Sequence, residues 1–157
     1  MTENNTQPQV SMQINSQYIK DLSFEAPNMP LTLTDMQQMP DIKIDIDLRA
    51  NKTQTDKNYT VDLTIRIKGA NKTDQKTLFL CELTYGAAVT LDAPQELIET
   101  LLLVEVPRLL FPYARAIVGN TMREAGFPSL QINPIDFMGL YLAKKNEKSA
   151  AVEGNKT

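Results

Sequence analysis

The stretch DIKIDIDLRANKTQTDKNYTVDLTIRIKG, residues 41–69, decides the architecture. Ile42, Ile44, Ile46 and Leu48 occupy every second position, with Lys43, Asp45, Asp47 and Arg49 between them. Side chains of a strand alternate between two faces, so this pattern describes a strand with one apolar and one charged side. Tyr59, Val61, Leu63, Ile65 and Ile67 repeat it, and the polar NKTQTD supplies the turn. Downstream, GANKTDQ forms a second turn into TLFLCELTYGAAVTL, a strand near 77–91. Upstream, Val10, Met12, Ile14, Tyr18, Leu22 and Phe24 lie mostly on one parity and predict a strand within 10–25. Between that strand and residue 41 stand Pro27, Pro30 and Pro40, which predict a long loop. Four strands of this kind read as an antiparallel meander with one buried and one wet face.

After Pro94 the period becomes helical. Leu97, Ile98, Leu101, Leu102 and Val104 form a broad apolar surface that Pro107 interrupts. A second helix is expected to start at Pro112, whose missing N–H suits a first turn. Ala114, Ile117, Val118, Met122 and Ala125 give it an apolar stripe, and Gly126 and Pro128 close it. Asn133 as N-cap, Pro134 and Asp136 predict a last helix running to about Lys145. The expected organisation is a disordered segment 1–9, one domain over 10–145 and a flexible tail 146–157. The fold class is α+β: a four-stranded antiparallel sheet with helices on one face.

The chain has 157 residues, 16 Lys+Arg against 19 Asp+Glu, one Cys and no His. The absence of histidine removes Ser-His-Asp and Cys-His catalysis, histidine metal sites and an imidazole pH switch. No phosphate-binding or nucleophile-elbow motif occurs. The expectation is therefore a protein that is not an enzyme, with no cofactor and no metal. A net charge of −3 argues against nucleic-acid binding. No apolar run is long enough to span a bilayer, so no membrane insertion is expected. The start, MTENNTQPQV, lacks the basic-then-apolar order of a secretion signal, and a single cysteine fits a cytoplasmic setting.

Parity sorts the remaining candidates. Asp45, Asp47, Asp62 and Glu82 fall on the wet face, joined by Asp21 and Glu25 and by the apolar Leu80. An apolar anchor among carboxylates suits docking to a basic partner. Phe79, Cys81, Leu83 and Tyr85 take the opposite parity, so Cys81 is expected to be a small core residue. With Ile117, Val118 and Met122 these residues are expected to serve packing and assembly. The apolar helices exceed what one sheet face covers, which points to an oligomer. Met29, Met36 and Met39 add adaptable apolar groups in the proline loop.

DLSFEAPNMP (21–30), FLCELTYG (79–86) and LLFPYARAIVGNTMREAGFPSLQINPIDFMGLY (109–141) together resemble the SecB family of protein-export chaperones in order and spacing. The resemblance covers roughly residues 10–142. It implies a homotetramer built as a dimer of dimers. It also implies an ATP-independent holdase that keeps unfolded secretory precursors from folding and aggregating and delivers them to the motor SecA. The family's contact with SecA matches Asp21, Glu25, Leu80 and Glu82. The family's precursor groove implies an apolar wall at Leu109, Leu110, Phe111 and Tyr113, with Met36 in a loop where relatives often carry Trp. The alternative is a SecB-like chaperone dedicated to a cytoplasmic client such as an antitoxin.

Overall fold

The alternating segments form the expected strands, but their order is not a meander. The computed structural model describes residues 7–35 and 38–154. Most of the segment 1–9 and the candidate Met36 lie outside the described residues. Strands β1 (Ser11–Glu25), β2 (Asp41–Lys52), β3 (Asn58–Ala70) and β4 (Thr77–Asp92) form one sheet in the order β1-β4-β3-β2, antiparallel throughout. The short turns force β2, β3 and β4 to be neighbours. The segment between β1 and β2, which includes the short helix α1 (Leu31–Asp35), is long enough to cross to the far edge. The result is the Greek-key order rather than four successive hairpins.

Register follows the apolar alternation. Leu63 lies opposite Leu48 and Tyr85, and Ile65 opposite Ile46 and Leu83. Val61, Leu63, Ile65, Leu83, Ala87 and Val89 are completely buried. β1 departs from a single parity because of two bulges, between Ile14 and Ser16 and between Ile19 and Asp21. Each extra residue exchanges the faces. Met12 and Ile14 face inward, opposite Leu91 and Val89, and after the second bulge so do Leu22 and Phe24, opposite Leu83 and Cys81. Tyr18, expected with that apolar set, pairs with Gly86 on the outer face instead. Its ring fills the space above Gly86, where a Cβ would lie 2.6 Å from Tyr18 Cε2.

The helical part also differs from expectation. Helix α2 (Gln95–Thr100), a π-helical turn (Leu101–Glu105) and α3 (Val106–Glu124) run without a break, so Pro107 and Pro112 both lie within helix. The Val106 N–H bonds to the Leu101 carbonyl, five residues back, which resets the ladder where Pro107 withdraws a donor. Pro112 takes the helix N–H partner from the Arg108 carbonyl, and both residues lie on the exposed side of the helix. The C-terminus closes as the sequence predicts. Gly126 has φ 87°, the Gly126 N–H donates to Arg123 O and the Phe127 N–H to Met122 O, a Schellman motif.

Helix α4 (Phe137–Glu153) is capped by Asp136, whose Oδ1 accepts from the Gly139 N–H at 3.0 Å. The cap is thus not Asn133, because residues 127–136 run without helix and bury Phe127 and Ile132 before α4 begins at the buried Phe137. The helix also continues past Lys145 to Glu153, with its last residues exposed. Leu110, Ala114, Val118 and Met122 of α3 join the inward residues of β3 and β4 in one core, so the helices cover one face.

Candidate functional site

Residues paired across strands share a face, so the register lays out the uncovered side of the sheet in rows. One row is Glu25, Leu80, Lys68, Lys43 and the next is Ser23, Glu82, Arg66, Asp45. A third is Asp21, Thr84, Thr64, Asp47 and a fourth Tyr18, Gly86, Asp62, Arg49. The structure therefore gathers Asp21, Glu25, Leu80 and Glu82 on one surface. A shallow cavity of about 420 Å³ opens there among Glu25, Lys43, Asp45, Arg66, Leu80 and Glu82.

The acid excess read from parity is largely neutralised. Arg66 donates from Nε to Glu82 Oε2 at 2.8 Å and from Nη1 to Asp45 Oδ2 at 3.3 Å. Lys144 reaches from α4 to Asp47 Oδ1 at 2.6 Å. That hydrogen bond holds the Asp47 carboxyl below its ordinary pKa, against the opposing effect of burial. Asp62 is the exception on this face, being buried despite its charge. Its Oδ2 accepts from Lys20 Nζ at 2.6 Å, while Oδ1 has no partner. Lys20 is the extra residue of the second bulge, so this ion pair anchors β1 where its faces exchange. Asp21 and Glu25 have no ion pair among the described residues.

The apolar wall expected over 109–113 splits by helical geometry. Leu109 and Tyr113, one turn apart, are 48% and 54% exposed. Leu110 and Phe111 point into the core at 0% and 7%, so they cannot present a surface from this chain. Tyr113 stacks on Tyr85 with centroids 6.5 Å apart. The strand partner of Tyr85 is Ile19, half exposed, and Leu22 is exposed further along the same edge. An uncovered apolar strip thus runs from the α3 surface onto β1. Of the packing candidates, Cys81, Leu83, Tyr85, Val118 and Met122 are buried and Ile117 is half-buried. Burial pushes the Cys81 thiol pKa up, which keeps it protonated and unreactive.

A second apolar cleft, about 80 Å³, was not anticipated from sequence. Met39, Pro40 and Ile42 form one side and Phe79, Met122 and Phe127 the other. Phe24 stacks on Phe79 and Phe127 is tilted against both, with centroids 4.9–6.0 Å apart, giving this end an aromatic floor. Phe79 fits because Gly69 lies beneath it; a Cβ there would be 2.2 Å from the ring. The signal was present in Met39-Pro40 and Phe127-Pro128, two apolar–proline pairs that end in the same place. Among the described residues no three Cys, Asp or Glu side chains gather as a metal site. No described helix is long and apolar enough to cross a membrane.

Comparison with known proteins places the chain among its relatives. The family model of the preprotein translocase subunit SecB matches residues 3–148. Protein-export protein SecB 1 of Gluconobacter oxydans is 44% identical over 149 residues, covering 90% of this chain and 86% of that protein. Protein-export protein SecB of a Bradyrhizobium strain is 44% identical over 148 residues, covering 94% and 89%. The counterpart in Granulibacter bethesdensis is 38% identical over 165 residues, covering 99% and 96%. Among solved structures, a Mycobacterium tuberculosis SecB-like chaperone in complex with a peptide from an antitoxin superposes with a TM-score of 0.65. It is 13% identical, with 79% of this chain and 90% of that chain covered.

Proposed function

The chain belongs to the SecB family of protein-export chaperones, and we propose that it is an ATP-independent holdase. In this reading it works in the cytoplasm, binds unfolded secretory precursors and hands them to SecA. The observation that carries the reading is the apolar surface left open beside a complete core. Ile19, Leu22, Leu109 and Tyr113 lie on one strip, and Met39 and Phe127 border the aromatic cleft. Apolar pockets next to the exposed edge of β1 suit extended chains, which can hydrogen-bond to a strand edge while their side chains enter pockets. Part of the same strip is the natural place for a second copy, so the proposed assembly is a dimer of dimers with client grooves between protomers. The outer face carries Asp21, Glu25, Leu80 and Glu82, assigned to SecA, and is separated from the client surfaces by the thickness of the sheet.

Light scattering after dilution of a denatured precursor, without ATP, tests the holdase. Suppressed aggregation with no binding of the native form supports it, and no suppression at several-fold excess removes it. A second reading is favoured by the solved SecB-like chaperone that holds an antitoxin peptide: a chaperone for one cytoplasmic client. Titration with SecA separates the two, since a chain that holds clients and ignores SecA belongs to the second.

A further inference from the structure

Lys43 and Lys68 face each other directly across β2 and β3. Neither has an ion pair among the described residues. Like charges opposed on a sheet destabilise it; of the two acids that flank Lys43 along β2 on this face, Asp41 makes no ion pair with either lysine and Asp45 is bonded to Arg66. The row continues from Lys68 to Leu80, which is 41% exposed, and then to Glu25, which is also unpaired. At a strand spacing of about 4.8 Å the row runs positive, positive, apolar, negative over about 14 Å. Asp21 extends the negative end along β1. In the middle Arg66 pairs with both Glu82 and Asp45, which leaves that row with one negative charge. All but Asp21 line the outer cavity of about 420 Å³.

We propose that this face binds a bipolar protein segment. The segment places a basic group on Asp21 and Glu25, an apolar side chain on Leu80 and a carboxylate between Lys43 and Lys68. The proposal rests on the reading of this face as the SecA contact and gives that contact a direction across the strands. A segment of basic residues alone meets two lysines at one end of the cavity, and such repulsion rejects wrong partners and wrong orientations. The carboxylate also relieves the lysine repulsion, which is a difference between bound and free states and therefore contributes to affinity.

The test is titration of SecA into the full chain and into Lys43→Glu/Lys68→Glu and Lys43→Gln/Lys68→Gln. The expected result is binding by the unaltered chain, weakened about ten-fold or more by the glutamates and less by the glutamines. Unchanged precursor holding confirms that the variants are assembled. A purely basic partner predicts the opposite sign, so tighter binding by the glutamate variant overturns the proposal, and so does equal binding. If the glutamates disturb assembly, the glutamine variant decides: weaker binding supports the proposal, and equal or tighter binding overturns it. Absence of SecA binding by the unaltered chain is a failure of the SecA reading itself and removes the bipolar segment with it.

Discussion

The two faces of β3 and β4 are made from adjacent residues and obey different rules. Inward, Leu63, Ile65, Leu83 and Val89 are completely buried in one core with the apolar residues of α3. Outward, Arg66, Lys68, Leu80 and Glu82 meet water, and their arrangement is set by charge pairing across strands. Volume is constrained on the first face and charge on the second. The inner face should therefore govern whether the chain folds, and the outer face what the folded chain binds.

The strongest way to break this contrast is to show that an inward residue is dispensable. Leu83→Ala removes a fully buried side chain between Leu22 and Ile65 and should cost about 2–5 kcal/mol in denaturant unfolding. A charged residue at Leu83 or Cys81 should prevent assembly. Gly69→Ala is the next test and acts by overfilling. The added methyl collides with Phe79, so about 1–3 kcal/mol is expected. Because Phe79 also floors the aromatic cleft, client holding should weaken more than after other changes of equal stability cost, measured by scattering. A loss of stability with unaltered holding would remove that cleft from the client surface.

The outer face predicts the reverse profile. Leu80→Arg should change stability by no more than about 0.5 kcal/mol, the usual range for surface positions. It should weaken SecA binding by about ten-fold or more if Leu80 is an anchor, with precursor holding intact. Glu82→Lys should do the same, with a small additional penalty from placing a cation beside Arg66. Equal loss of holding and docking in these variants would show that the two faces are not functionally separate.

This contrast also explains what the sequence could disclose. Parity alone identified the inward set Phe79, Cys81, Leu83 and Tyr85 and brought Asp21, Glu25, Leu80 and Glu82 to the other side. Both assignments need only period-two alternation. The bulges in β1 were not visible, because an extra residue leaves no compositional mark; Tyr18 was therefore assigned to the wrong face. The continuous helix through Pro107 and Pro112 depends on a π turn and on which side of the helix is exposed, both properties of the folded chain. The family resemblance placed Leu110 and Phe111 with Leu109 and Tyr113 in one wall, but the helical rotation of about 100° per residue turns the first two into the core. The neutralisation of Asp45, Asp47 and Asp62 was hidden because Arg66, Lys144 and Lys20 are distant in sequence.

The smallest effect should come from the contact where the outer face touches a helix. Asp47 is paired with Lys144, both partly exposed, so Lys144→Met should cost only about 0.2–1 kcal/mol near neutral pH. The sign of its pH dependence follows from the lowered pKa of Asp47. In the folded chain the carboxylate resists protonation relative to the unfolded chain. The stabilisation is complete above the ordinary carboxylate pKa and is lost as pH falls through the lowered, folded value. The gap in urea midpoint between the unaltered chain and Lys144→Met should therefore narrow on acidification and close once Asp47 is protonated in both. A gap that persists in acid would mean that Lys144 acts through the packing of its aliphatic stem against the sheet edge, and the contact would then belong with the volume-governed inner face.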